Sequence, residues 1–492
     1  MSSASHYQRS DLAHIACEVM RERGLEPEFP AAVQEQLRHL KGPRQEAKTA
    51  PLHDLTGLPW CSLDNDDSRD LDQLTACKPQ HGGAVTIFVA VADVDALVEQ
   101  GTPIDRHAWH NTTAVYTSAR NFPLLPERLS TDLSSLNPHV ERLAVVTEML
   151  IAADGTLQSE RIYRARVRNR AQLAYDAVSA WIEGEDPLPP AARAVPALEQ
   201  QLRIQDEVAQ RLRARRHAEG SLELETLQPR AVFDGEQLVG IQQQVQNRAR
   251  QLIEEFMIAA NGCSARFLAR AGTASLRRVV RSPERWQRLV ELAARHGHVL
   301  PAALDSGALA AFLAARHRAD PLRFPDLSLV VVKLMGSGEY VVEHPGGPPI
   351  GHFGLAVRDY THSTAPNRRY PDLITQRLLK ATLAGSRPPY GAAELNALAK
   401  HCTQQEDAAR KVERRMRKSE AALLLQSHLG QHYDALVTGQ SDSGTWVRIL
   451  TPPVEGRLES GAADDLQVGH SLRVELMSVN VERGFIDFAR VD

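Results

Sequence analysis

A mixed α/β fold, flanked by a small helical module and a small closed β-barrel, is predicted for this 492-residue chain on three observations. The stretch 84–92, Ala-Val-Thr-Ile-Phe-Val-Ala-Val-Ala, is continuously apolar and rich in β-branched residues, as a strand buried on both faces must be. Segments of helical period accompany it, the longest running from Leu198 to Arg216 behind the loop marked by Pro187, Pro189 and Pro190. After Gly430 the pattern changes to short alternating strands, with Leu472, Val474 and Leu476 separated by polar neighbours and Arg483-Gly484 turning into Phe485-Ile486-Asp487-Phe488.

The elements follow in order. Residues 1–45 read as two helices. In the first, Leu12, Ile15, Ala16, Val19 and Met20 share one face behind Ser10 as N-cap, and Gly24 stops it. The second starts at Pro30, with Val33, Leu37 and Leu40 on one side. Together they form a helical module of helix-turn-helix character. Residues 46–428 contain no Gly/Ser/Pro linker and are taken as one large domain. Residues 429–492 hold five short strands, which suits a barrel of the oligonucleotide-binding type.

Composition narrows the function classes. Hydrophobic residues make up 43% of the chain, enough for a sizeable core, and no run of about 18 apolar residues marks a membrane span. The first residues lack the features of a signal peptide, so cytoplasmic residence is expected. The five cysteines are widely spaced and include no C-x-x-C pair, which reads as reduced, mostly buried thiols. A net charge of −4 does not advertise a nucleic-acid binder, but three local basic runs do. They are Arg211 to Arg216, Arg277 to Arg285, and Arg410 to Lys418. Each alone reads as a solvated helix face; beside an acidic site they make a phosphate-rich polymer a candidate substrate.

That acidic site is Leu63-Asp64-Asn65-Asp66-Asp67-Ser68-Arg69-Asp70-Leu71-Asp72-Gln73. Crowded carboxylates repel unless cations sit between them, and a hard divalent ion with oxygen ligands is the usual remedy. A polar surface turn is the bland alternative. A calcium loop is a second: Asp64, Asp66 and Ser68 fall on its first ligand positions, but Arg69 replaces the required glycine and Thr75 the closing glutamate. The buried strand that follows favours a cleft over a random surface.

Further segments continue the series: Leu58-Pro59-Trp60 ahead of the acids, Val89 to Val94 with Gly101 to Asp105, Pro123 to Pro126 through Leu133 to Pro138, Leu252 to Met257, and His352 to Leu355. The most specific is Tyr360-Thr361-His362 followed by Arg368-Arg369-Tyr370-Pro371-Asp372-Leu373-Ile374. In this order, over roughly residues 50 to 420, they resemble the catalytic domain of the ribonuclease II and ribonuclease R family, and the terminal barrel resembles an S1 domain. The sequence departs at Gln73, where the family has a fourth aspartate, and at Ala365-Pro366-Asn367, where Ser-Pro-Ile is usual. The roughly 60 residues ahead of Asp64 are too few for the two cold-shock domains that usually precede this unit.

The resemblance implies processive 3′-to-5′ hydrolysis of single-stranded RNA to nucleoside 5′-monophosphates by a two-metal mechanism with magnesium, or manganese in its place. It places Asp64, Asp70 and Asp72 at the metal and Asp72 and Arg368 in catalysis. Tyr116, Arg369 and Glu413 are assigned to the RNA, and Trp446 of the barrel is a candidate stacking surface. Single-stranded RNA is the implied partner, with no membrane and no obligate protein partner. Two other readings stay open: an RNA-binding regulator with an impaired nuclease site, and a metal-dependent DNA exonuclease.

Overall fold

In the computed structural model the apolar run becomes the middle strand of a seven-stranded sheet. The structure describes residues 7–43, 50–225, 229–243, 246–281, 283, 285–321, 323–347, 350–441, 444–459, 466 and 470–491. Helices α1 (Arg9–Glu22) and α2 (Ala31–His39) lead into β1 (Leu52–Asp54), β2 (Cys61–Asp64), β3 (Gln73–Pro79) and β4 (Val85–Ala92). Then come α3 (Pro103–Asn111), a small hairpin of β5 (Val115–Tyr116) and β6 (Asn121–Phe122), and the strands β7 (Glu141–Ile151), β8 (Leu157–Arg168) and β9 (Ala171–Ala174). The sheet order is β1-β8-β7-β4-β3-β2-β9, antiparallel except where β1 joins β8 and β2 joins β9.

Helices α4 (Tyr175–Glu183), α5 (Pro190–Arg193) and α6 (Leu198–Ala218) follow, then a hairpin of β10 (Pro229–Asp234) and β11 (Gln237–Gln243), and α7 (Arg248–Arg270). A helical unit of α8 (Trp286–Arg295), α9 (Ser306–Ala319) and α10 (Phe324–Met335) is flanked by β12 (Ser275–Val279) and β13 (Glu339–Glu343), which pair with each other. The chain then forms α11 (Tyr370–Leu383), the 34-residue α12 (Ala392–Leu425) and the strands β14 (His432–Ser441), β15 (Gly444–Ile449), β16 (Val454–Leu458), β17 (Ser471–Asn480) and β18 (Phe485–Val491). Among the described residues no helix is long and apolar enough to cross a membrane.

Strand β4 shows why its sequence has no polar alternation. Phe88, Ala90 and Ala92 face a core shared with Leu74, Val146, Leu373, Ile374 and Leu378, whereas Ile87, Val89 and Val91 face another with Leu202, Val208, Leu252 and Phe256. Helices cover both faces of the sheet, so every side chain of β4 is buried. All five cysteines are free and buried.

The five C-terminal strands close into a barrel in the order β14-β15-β16-β18-β17. Its interior holds Val437, Val447, Ile449, Val474, Leu476, Ile486 and Phe488. Helix α12, about 50 Å long at 1.5 Å per residue, joins this barrel to the rest. Its early residues Leu395, Leu398 and Cys402 sit in the sheet core, and its later residues Ala409, Val412 and Met416 pack with the barrel.

The N-terminal helices depart from the expected module. The face of α1 packs with α12 and the barrel, while Val33 of α2 belongs to the sheet core, so the pair is divided between two cores. Helix α1 also begins ahead of Ser10: Gln8 is the N-cap, two positions before Ser10, and its N–H donates to the Asp11 carboxylate at 2.8 Å.

The barrel seats on α12 through the turn between β17 and β18. Gly484 there has φ 59°, and a Cβ at that position would lie 3.0 Å from Lys418 Cβ and 3.2 Å from the Arg415 carbonyl oxygen. Arg415 also donates to the Glu482 carbonyl at 2.6 Å. Gly484→Val is therefore expected to cost about 1–3 kcal/mol through left-handed strain and the clash with α12. A thermal melt reads this as a lowered midpoint; an unchanged midpoint would mean that the turn is not held against the helix.

Candidate active site

The acidic segment is fixed by its backbone before any of its carboxylates is placed. Leu71 is buried in the sheet core, its N–H donates to Ser135 Oγ at 3.0 Å, and its carbonyl accepts from Leu136 N at 3.0 Å. The Asp72 carbonyl accepts from Ala92 N, also at 3.0 Å, which ties the entry of β3 to the end of β4. Asp72 is thereby held 2% exposed, and Asp64 closes β2 with its Oδ1 accepting from Asn65 N and Ser68 Oγ.

Arg368 reaches this segment from a tight turn ahead of α11. Its N–H and that of Arg369 donate to the Ala365 carbonyl, and Asp372 Oδ1 accepts from Ala365 N at 2.9 Å and from Arg369 Nη2 at 2.7 Å. The Arg368 carbonyl accepts from Ala114 N at 2.9 Å. Asn367, in the divergent tripeptide, is buried and its Oδ1 accepts from Ser134 Oγ at 2.8 Å. The result is a contact of 2.8 Å between Arg368 Nε and Asp72 Oδ2.

The electrostatics follow from this burial. Desolvation raises the Asp72 carboxyl to about 7, against the pull of Arg368 and with a further push from Asp70. Asp70 is raised for the same leading reason, offset in part by a backbone hydrogen bond and assisted by repulsion from Asp64. Asp70 thus lies in the fields of Asp64 and Arg368, and Asp72 in those of Arg368 and Asp70.

Tyr116 is 45% exposed. Its hydroxyl, raised chiefly by desolvation, also feels Arg368, Asp70 and Asp72. Its strand is held by α12: Glu413 Oε1 accepts from Tyr116 N at 3.1 Å, and Glu420 accepts from Ser118 N at 3.2 Å and Ser118 Oγ at 3.1 Å. A cavity of about 400 Å³ is lined by Asp70, Tyr116, Arg230, Glu413, Arg417 and Glu420, among others. It adjoins a second of about 760 Å³ through Asn65, Asp67, Ser118 and Arg230.

Several lining residues had no sequence signal strong enough to single them out. Arg250 stacks 4.6 Å above Tyr175 and donates to Asn65 Oδ1 at 2.8 Å, and Arg230 pairs with Asp67 at 3.4 Å. The assignments of Arg369 and Trp446 are not brought to the cavity. Arg369 is engaged by Asp372 and Thr364, and Trp446 lies half-buried on a strand whose alternate residues Thr445 and Val447 face inward. Two of the three basic runs are also spent on structure: Arg213 pairs with Glu223, Arg216 with Glu255, Arg277 with Glu343 at 2.9 Å and Arg278 with Glu406 at 2.5 Å. Only the third run reaches the cavity, through Arg417.

With this geometry in place, the comparisons with known proteins identify the class. The RNB-domain model matches residues 52–385 and the model of the RNase II-type exonuclease C-terminal S1 domain matches residues 431–491. The chain belongs to the RNB-domain family. Ribonuclease R of Vibrio cholerae is 29% identical over 94% of this chain, and the chain spans 60% of that relative's length. Among solved structures, the apo form of Mycoplasma genitalium RNase R superposes with a TM-score of 0.88 at 23% identity, covering 98% of this chain and 78% of that one. The same enzyme in complex with ribose-methylated single-stranded RNA gives 0.88 at 22%, with the same shares of both chains. These likenesses establish the fold.

Nucleases with this domain depend in general on a divalent metal. The donors here fit one: Asp72 Oδ1 is buried with no hydrogen-bond partner, and its carboxylate lies in the fields of Asp70 and Arg368, so the acids offer the oxygen donors a hard divalent ion takes. Among the described residues no three acidic, imidazole or thiolate groups already stand together as a cation cage. Gln73, buried at the start of β3, adds no charge.

Glu420 supplies a test of the cavity's electrostatics that avoids the metal. Burial raises its carboxyl from 4.5 to about 7, against the hydrogen bonds from Ser118. The folded state then holds a proton that the unfolded state loses, so this group's contribution to stability falls as pH rises from about 4.5 to about 7. Glu420→Gln removes that penalty, worth at most about 3 kcal/mol at pH 8. Its melting midpoint relative to the parent should rise between pH 5 and pH 8; a difference independent of pH would place the carboxylate in water.

Proposed function

We propose that the chain is a 3′-to-5′ exoribonuclease that hydrolyses single-stranded RNA to nucleoside 5′-monophosphates. The observation that carries this is the buried Asp72, with one carboxylate oxygen on Arg368 and the other unpartnered, in the field of Asp70, which lines a cavity that presents Tyr116. Membership in the RNB-domain family and the RNA named in the complex of the Mycoplasma protein support the choice of polymer. The proposed division is a helical N-terminal segment to 45, a catalytic domain over 46–428 and an S1-like domain over 429–492. Residence in the cytoplasm is part of the proposal, supported by five free, buried thiols.

Hydrolysis breaks the bond from phosphorus to the 3′ oxygen of the penultimate ribose. Water adds its oxygen to phosphorus, one proton ends on the departing 3′ oxygen, and the terminal nucleotide leaves with a 5′ phosphate. Asp72 Oδ1 is placed to accept a hydrogen bond from the attacking water and to orient it. Arg368, whose guanidinium is 41% exposed, offsets the charge that grows on the phosphoryl oxygens, and its fixed fork suits that geometry better than a lysine. Tyr116 offers a face on which a base of any identity stacks, worth about 1–3 kcal/mol. Magnesium is the proposed ion, held by Asp72 with Asp70 and Asp64; when bound it supplies Lewis-acid polarisation of the phosphate and lowers the pKa of a coordinated water.

A second reading, an RNA-binding protein with an impaired site, is favoured by one observation: Gln73 removes a charge from a set of acids that forms no closed cage among the described residues. Incubation with magnesium and end-labelled single-stranded RNA or DNA separates the readings. Mononucleotides from RNA alone are expected; binding without product supports the second reading, and cleaved DNA a broader phosphodiesterase.

Two variants refine the assignment. Asp72→Asn should lower turnover at least about 100-fold, a loss of roughly 3 kcal/mol in transition-state stabilisation, while RNA affinity in a filter-binding assay is kept or rises. Undiminished turnover would remove Asp72 from the chemistry. Gln73→Asp should lower the magnesium concentration that gives half-maximal rate, and an unmoved requirement would place residue 73 outside the ion's ligands.

A further inference from the structure

A chain of buried hydrogen bonds runs from the Asp72 backbone to the helix that follows Arg368, and a single side chain closes it. The Asp72 carbonyl accepts from Ala92 N at 3.0 Å. The Ala92 carbonyl in turn accepts from Gln376 Nε2 at 2.8 Å, and Gln376 Oε1 accepts from Asp95 N at 3.0 Å. Gln376 is 1% exposed and lies on α11, whose first residue, Tyr370, follows Arg368 by two positions. One carboxamide therefore grips, by a donor and an acceptor, the end of β4, whose Ala92 holds the Asp72 backbone, and does so from the helix that follows Arg368.

The neighbouring charges fix this grip. Lys380 Nζ lies 2.8 Å from both Asp93 Oδ1 and Asp95 Oδ2. Arg377 lies 3.1 Å from Asp95 Oδ1 and 2.8 Å from Asp105 Oδ1, and donates to Tyr390 Oη at 2.8 Å. Arg164 reaches Asp93 Oδ2 at 3.2 Å. Three acids and three cations, all buried, cancel in charge and lock α11 against the turn after β4. They set where the helix lies as a body. Among these α11 side chains it is Gln376 that bonds to Ala92, which itself bonds to Asp72, and a carboxamide is the side chain that can both donate to Ala92 O and accept from Asp95 N without adding charge to this neutral cluster.

We infer that Gln376 is a positioning residue for the reaction: it sets the offset between Asp72 and Arg368 through Ala92, without touching substrate. The inference rests on the exoribonuclease reading for its kinetic readout, and on geometry alone for its structural one. Removing the carboxamide cuts the direct tie between the end of β4 and α11, leaving Ala92 to its ladder with β7 and the turn beyond to the ion pairs, so the offset between Asp72 and Arg368 is no longer fixed through Ala92 while the cavity lined by Tyr116 stays intact. The expected signature is a loss in kcat with KM retained, as for an interaction that matters only when charge develops.

The test uses the full chain with Gln376→Met, which keeps length and volume and removes both hydrogen bonds, and Gln376→Asn, which keeps the amide one methylene short and serves if the first variant does not fold. Tyr390→Phe is the comparison: it removes a hydrogen bond from the same buried cluster without touching Ala92. At a temperature where all are folded, the Gln376 variants should show kcat at least tenfold lower with KM within twofold, and Tyr390→Phe a kcat within twofold of the parent. Equal loss in all variants, in step with their melting midpoints, would overturn the inference and leave a purely structural role. A crystal structure of a Gln376 variant supplies the second readout. The contact between Arg368 Nε and Asp72 Oδ2, 2.8 Å in the parent, should lengthen beyond hydrogen-bond distance, and an unmoved contact also overturns the inference. A parent protein without product from RNA would refute the functional reading instead, and the crystallographic comparison would still decide the role of Gln376.

Discussion

The ion pair between Asp72 and Arg368 joins residues 296 positions apart in a place where neither could be left alone. A buried carboxylate without a cation reverts to its protonated form, and a guanidinium without an acid would not accept partial burial. The rest of the domain can be understood as the means of bringing these two together. The Leu133 to Pro138 segment laces the acid-bearing strand entry through Ser135 and Leu136, and Asp372 shapes the turn that carries Arg368. Because these holds act on backbone groups of the two segments, the side chains of Asp72 and Arg368 are left free to meet each other.

Helix α12 extends the same principle to the cavity wall. Glu406, Glu413 and Glu420 recur at intervals of seven, so two helical turns bring each onto nearly the same face. Each has a different client: Glu406 pairs with Arg278 of β12, Glu413 holds Tyr116, and Glu420 holds Ser118. Ser118 passes the connection on, since its hydroxyl accepts from Ala231 N at 3.2 Å and thereby anchors the hairpin of β10 and β11. One long helix thus fixes the sheet core, Tyr116, the hairpin and the barrel in a common frame.

Much of this was legible in the sequence because it depends on short-range pattern. The double-sided burial of β4, the five-stranded barrel and the crowding of Asp64, Asp70 and Asp72 leave local marks, whereas the approach of Arg368 across 296 positions was implied only by the family resemblance. The roles of the motif residues around them were less legible. Tyr360, Thr361 and His362 are buried supports: the Tyr360 carbonyl accepts from Arg278 N, Thr361 Oγ1 donates to the Leu276 carbonyl, and Tyr340 Oη lies 2.8 Å from His362 Nδ1. The N-terminal helices have clean periodicity but no sign of which core each joins, since an apolar face does not name its partner. Arg250 and Tyr175 could not be found at all, because cation–π stacking across 75 positions has no spacing rule. The basic runs misled for a related reason: charge in sequence does not reveal the acids of other elements that neutralise Arg213, Arg216, Arg277 and Arg278.

Charge balance in the cavities bears on how a polyanion enters them. The lining includes Arg9, Arg230, Arg250 and Arg417 against Asp66, Asp67, Asp70, Asp176, Glu413 and Glu420, four cations facing six carboxylates, while Asp72 and Arg368 cancel. The barrel adds no relief, with five arginines and no lysine against ten acids between residues 430 and 492. A phosphate chain would therefore meet net repulsion from the side chains alone. Protonation of Glu420, raised to about 7, removes part of it. The remainder demands cations from solution. On the proposed reading the divalent ion is as necessary for admitting the polymer as for cutting it, and binding in its absence relies on stacking at Tyr116 more than on Coulombic attraction.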